Sequence, residues 1–168
     1  MGQSLPMEFV ILPLFSTQPS RTKKVAPKSG INQWNAAGRP RKFGEAYIPV
    51  PKSVHKLRPG FFPDHKVPFN LHLPNGQIVS ASICQQGGKA LMSNPNDILC
   101  KWLFSTIDGN WSTALTRYSE ARPYIFDDLM AISMDAVKVT RGQESGDYYL
   151  EPAPLGSYEQ FVQSTPTA

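Results

Sequence analysis

Between Phe69 and Cys84 the chain alternates apolar and polar residues on both sides of a turn, and that pattern admits one local structure. Phe69-Asn70-Leu71-His72-Leu73 has the period of two expected of a half-buried strand, and so does Gln77-Ile78-Val79-Ser80-Ala81-Ser82-Ile83-Cys84. Pro74-Asn75-Gly76 joins them, and Asn and Gly tolerate the positive φ angles of a tight hairpin turn. Gln85-Gln86-Gly87-Gly88-Lys89 interrupts the second strand, which Ala90-Leu91-Met92 is expected to resume. Other segments agree with a β-rich chain. Met7 to Phe15 is strand-like, with Pro13 marking an edge or an end. Ala46 to Pro51 is extended, because residues before proline avoid the α region. Asp135-Ala136-Val137-Lys138-Val139-Thr140 and Asp147-Tyr148-Tyr149-Leu150 read as strands paired across a Gly-containing turn.

Helical signals are short. Ser53 to Leu57 makes one turn before Pro59-Gly60, and Asn94-Pro95-Asn96-Asp97 opens a helix that ends near Ser105. Phe126 to Ile132 predicts a further helix, and Gly156 to Phe161 a last turn. Many short strands with few helices point to a mainly β barrel or sandwich rather than a parallel sheet. At 168 residues and 40% apolar composition, one domain over 1–168 is expected, with frayed ends near 1–6 and 163–168. No window approaches the roughly 18 apolar residues of a membrane helix, and the start lacks secretory character, so a cytoplasmic protein is expected. Cys84 and Cys100 fit no zinc spacing and read as reduced core thiols.

The segment least suited to a core is Lys28 to Lys42, which holds Gly30, Gly38 and Pro40 together with Arg39, Arg41 and Lys42. It lies in a polar connection from Ser16 to Gly44, far longer than connections usual in compact domains. Charge is concentrated around it: Arg21 to Lys66 contains eleven Lys or Arg against Glu45 and Asp64. From Val67 onward six basic residues face ten acidic ones. Such a field suits a polyanion.

Catalytic patterns are missing. A phospholipase D type nuclease uses His-x-Lys, whereas Leu57, Val67 and Pro74 stand two residues after His55, His65 and His72. Asp64-His65-Lys66 is the only candidate for a small metal nuclease, and no acidic-x-Lys follows it on the next strand. Gly87-Gly88-Lys89-Ala90 lacks both the earlier glycine and the hydroxyl of a phosphate loop. No cofactor or metal is expected.

Ser29-Gly30-Ile31-Asn32-Gln33-Trp34, Gly38-Arg39, Glu45-Ala46-Tyr47-Ile48-Pro49, Phe61-Phe62-Pro63 and Gly88 to Asn96 resemble, in order, the DNA-recognition domain of NgoFVII-type restriction endonucleases. That domain is similar to those of BfiI and EcoRII and to the plant B3 domain, and in the family it follows a phospholipase D-like nuclease. The resemblance runs from about Phe9 to Phe161. It implies a seven-stranded open pseudobarrel that grips the major groove of double-stranded DNA at a short specific site, with a nuclease domain or subunit supplying cleavage. Two arms would do this, Lys28 to Lys42 and Gln85 to Asn96, and the resemblance brings in Ser29 and Met92 with them.

The chemistry of the arms suits that role. Arg39 and Arg41 can donate bidentately to guanine, while Asn32, Gln33, Asn35, Gln85, Gln86, Asn94 and Asn96 can pair with adenine. Lys23, Lys24, Lys28, Lys42, Lys89 and Lys101 suit phosphates, and Ser93 can add to an anion site at the following helix. Trp34 either stacks near DNA or anchors its loop, and Asn94 and Asn96 either read bases or cap the helix. An RNA- or protein-binding module draws on the same basic face.

Overall fold

A computed structural model describes residues 8–16, 23–25, 29–33, 44–84 and 88–163. The strands are β1 (Phe9–Pro13), β2 (Ile48–Pro49), β3 (Phe69–His72), β4 (Ile78–Cys84), β5 (Ala90–Asn94), β6 (Met134–Arg141) and β7 (Asp147–Pro154). They form one seven-stranded sheet in the order β1-β6-β7-β3-β4-β5-β2. All neighbours are antiparallel except β3 and β7. The end strands β1 and β2 touch, so the sheet curls into a nearly closed barrel. That is the mainly β pseudobarrel the resemblance implies.

The central hairpin forms as its periodicity dictates. Leu71 pairs with Val79 and Phe69 with Ala81, all four side chains buried, while Asn70, Ile78 and Ser80 face out. Asn75 Oδ1 accepts from the Gln77 amide at 3.0 Å and Gly76 takes φ 90°, which closes the turn. Each inward aliphatic side chain contributes roughly 1.5–3 kcal/mol through burial. Pro13 ends β1 at the sheet edge, where its missing amide costs no ladder bond. The expected continuation of the second strand is corrected: Ala90–Asn94 turns back as β5, antiparallel to β4, with Ile83 opposite Leu91. Both are buried, and the return sets them side by side on the inner face of the sheet.

Five helices flank the sheet among the described residues: α1 (Lys52–Leu57), α2 (Asn96–Asp108), α3 (Trp111–Ser119), α4 (Phe126–Ala131) and α5 (Ser157–Val162). Helix α2 runs past Ser105 to a left-handed Gly109 and buries Leu99, Trp102, Leu103, Phe104 and Ile107. Helix α3 has no counterpart in the sequence expectations. Its signal was Asn110, whose Oδ1 accepts from the Thr113 amide at 2.8 Å immediately after the Gly109 stop. Cys100 is buried and reduced, and burial pushes its thiol up to about 12 although the Ala46 and Gly44 amides favour the thiolate. The termini expected to fray lie outside the described residues, apart from Gln163.

Candidate nucleic-acid interface

The root of the first basic loop is a tight turn. The Asn32 amide donates to Ser29 O at 3.1 Å and the Gln33 amide to Gly30 O at 3.0 Å. Ile31 pins this turn to the core with 1% exposure. Asn32 fixes it laterally: its Nδ2 donates to Tyr124 O at 3.1 Å and its Oδ1 accepts from the Tyr124 amide at 2.7 Å. This two-way pairing reproduces a strand ladder with one side chain, each bond contributing about 1 kcal/mol net.

Tyr124 is itself held from behind. Its hydroxyl donates to Asp108 Oδ2 at 2.7 Å, and Arg117 Nη2 reaches Asp108 Oδ1 at 3.0 Å and Asp128 Oδ1 at 3.1 Å. Burial raises the Tyr124 phenol well above its ordinary value, and the Asp108 bond reinforces the rise. Burial alone would lower the Arg117 guanidinium, but Asp108 and Asp128 hold it above its ordinary value. The turn therefore stands on a polar network linking α2, α3 and α4.

The second polar segment is rooted in the β4–β5 return. His55 Nε2 donates to Gly88 O at 2.9 Å, tying the return to α1. Tyr47, Ala90 and Met92 pack as a small apolar cluster beside the main core, with Cys84 against it. Tyr47 also meets the first root: its amide donates to Gly30 O at 3.2 Å, and its ring lies on Gly30. A Cβ on Gly30 would sit 2.7 Å from Tyr47 Cδ2, so only glycine fits. One tyrosine, 8% exposed, thus touches the roots of both polar segments.

The expected DNA-contacting residues divide by place. Lys28, Trp34, Asn35, Arg39, Arg41, Lys42, Gln85 and Gln86 lie outside the described residues, as does the side chain of Asn96. Lys24, Lys89, Asn94 and Lys101 are exposed, with Lys101 Nζ 5.7 Å from the Trp111 ring centroid. Met92 is buried against Tyr47, and the Ser29 hydroxyl is buried without a hydrogen bond.

Four others are used inside the protein. Lys23 Nζ pairs with buried Asp135 at 3.0 Å and with Glu159, and it sits 4.8 Å from the Phe15 ring centroid. Burial opposes its charge, but the two carboxylates raise its pKa overall. Asn32 holds Tyr124, and Gln33 accepts from the Gly44 amide at 2.8 Å. Ser93 points inward from β5, donates to Pro95 O at 2.7 Å and accepts from the Leu99 amide at 3.1 Å. Ser93, rather than Asn94, therefore satisfies the start of α2.

Asp64 and His65 are exposed on the rim of a cavity of ≈ 480 Å³ that His55 also lines. Among the described residues no group of three or more His, Cys, Asp or Glu could hold a metal ion. No helix among them is long and apolar enough to cross a membrane.

A nearly closed seven-stranded sheet has the architecture of a B3-like DNA-binding pseudobarrel, and the described roots of its two polar segments meet at Tyr47. Residues 12–121 match the NgoFVII C-terminal B3-like DNA-binding domain, and the chain belongs to that family of DNA-binding domains. Comparison with curated proteins finds no match.

Proposed function

We propose that this chain reads a short specific sequence in double-stranded DNA through the major groove, as the target-recognition domain of a restriction endonuclease. The segments 28–42 and 85–96 act as its two arms. Cleavage belongs to a separate nuclease domain or subunit, and the chain works as one non-catalytic domain in the cytoplasm. The observation that supports this reading best is the shared footing of the arms: Tyr47 packs on Gly30 at one root and on Ala90 and Met92 at the other. Two polar segments whose roots meet on one tyrosine can address opposite flanks of one groove. Arg39, Arg41, Asn35, Gln85, Gln86 and Asn94 are the candidates for base edges, and Lys24, Lys28, Lys42, Lys89 and Lys101 for phosphates.

Selection of bound duplexes from a randomised pool tests this directly. A short consensus is expected, and Arg39→Ala should relax it at one base pair at a cost of about 1–3 kcal/mol. A pool that emerges without enrichment would count against recognition. Supercoiled DNA incubated with magnesium should remain intact, whereas cleavage abolished by Asp64→Ala would favour a metal nuclease. Duplex RNA of matched sequence should compete poorly, because its deep major groove is too narrow for side chains to read.

A further inference from the structure

A cleft of ≈ 350 Å³ lies on the outer face of the sheet, where α5 packs on β1. None of the described residues lining it belongs to either polar segment or its root. Ile11, Lys138 and Glu151 stand side by side across β1, β6 and β7, so all three share this face. The Phe9 ring meets that of Phe161 from α5, with centroids 6.1 Å apart. A cation hangs over each ring: Lys138 Nζ lies 4.5 Å from the Phe9 centroid, and the Arg58 guanidinium carbon 5.2 Å from the Phe161 centroid. Arg58 Nη1 also donates to Leu57 O at 3.0 Å, which holds the group at the end of α1. Ile11 and Ala153, both buried, supply apolar wall.

The two cations are unspent. Among the described residues neither has a carboxylate within ion-pair distance, although Glu151 stands opposite Lys138 in the ladder. Like charges on the walls of one cleft repel, and an anion between them relieves that repulsion. We propose that this cleft is a binding site for a small organic carboxylate, a monoanion carried on an apolar body. Arg58 offers the planar fork that fits a carboxylate, Lys138 a second positive charge, and Ile11 and Ala153 the surface for the apolar body. The volume falls within the roughly 300–1,000 Å³ of small-molecule sites. Glu151, exposed at the rim, disfavours a polyanion such as DNA over a monoanion. The proposal stands apart from the DNA-reading function and survives its failure.

The full chain is titrated with phenylbutyrate, phenylbutanol and phenylbutylamine, which share a body and differ in the charge of the head group. Binding is read from the backbone amide resonances. Phenylbutyrate should saturably shift the amides of Phe9, Lys138, Ala153 and Gln160 and bind at least about tenfold more tightly than the alcohol. The amine should leave those amides unmoved. Arg58→Gln and Lys138→Gln should each weaken phenylbutyrate about tenfold, with the Leu71 and Val79 amides in place as evidence of an intact barrel. Glu151→Gln should tighten it several-fold, a gain that damage to the fold would not produce. Equal affinity for the carboxylate and the alcohol would overturn the proposal. So would an affinity unmoved by any of the three substitutions, or shifts confined to residues outside the cleft. Displacement of phenylbutyrate by a short DNA duplex would make the cleft part of a nucleic-acid contact and overturn it as well.

Discussion

The roots of the two polar segments are held by different physics. Ser29 to Gln33 has one buried apolar anchor, Ile31, and is otherwise fixed largely by side chains bonding to distant backbone, Asn32 to Tyr124 and Gln33 to Gly44. Gly88 to Asn94 is fixed by the β4–β5 ladder and by apolar burial of Ala90, Leu91 and Met92. A ladder belongs to the sheet and is lost only with it. A side-chain clamp can be removed one bond at a time, so the first root is the one whose geometry can vary without unfolding the barrel.

That contrast orders the expected effects of substitution. Leu91→Ala, at a position with 0% exposure, should destabilise the whole fold by about 2–5 kcal/mol in chemical denaturation. A cost below 1 kcal/mol would show that the second root is not integral to the core. Asn32→Ala strands the amide and carbonyl of Tyr124 and should cost about 2 kcal/mol. Its amide exchange should accelerate around 29–33 and Tyr124 while the β4–β5 amides stay protected. Uniform acceleration would erase the distinction between the roots.

His55→Ala removes one bond to Gly88 O and should cost about 1 kcal/mol, read as a shifted denaturation midpoint with unchanged slope. Lys89→Ala should leave stability within about 0.5 kcal/mol, since its side chain is exposed. Under the proposed function it should also reduce the salt slope of DNA binding by about 0.9. An unchanged slope would remove Lys89 from the phosphate set.

The fold was legible wherever local pattern decides. Alternation around Asn75-Gly76 located β3 and β4, and the β6–β7 pair followed from two apolar runs across a glycine. The β4–β5 reversal was not legible, because Ala90-Leu91-Met92 reads equally as a resumed strand or a returning one until Leu91 is placed opposite Ile83. Helix α3 was missed because its apolar content is low and its start is marked by a single Asn110 cap.

At the site, the sequence identified polar side chains but not their partners. Lys23 and Lys24 are adjacent and chemically equivalent, yet Lys23 is held by Asp135, 112 residues away, while Lys24 faces out. Asn32, Gln33 and Ser93 carry the donors and acceptors of base readers, and the folded chain uses them on Tyr124, Gly44, Pro95 and Leu99. Tyr47 escaped notice as a bridge because its neighbours Gly30 and Met92 are brought together only by the closed barrel.

The central claim is that the paired arms read sequence in a DNA duplex. Its most direct test is titration of the consensus duplex and a scrambled duplex of equal length at several salt concentrations. The account predicts that both affinities fall with salt, with a slope near −0.9 per neutralised phosphate, while the consensus stays tighter throughout by at least about a thousandfold. Equal affinity for the two duplexes at every salt concentration would contradict it.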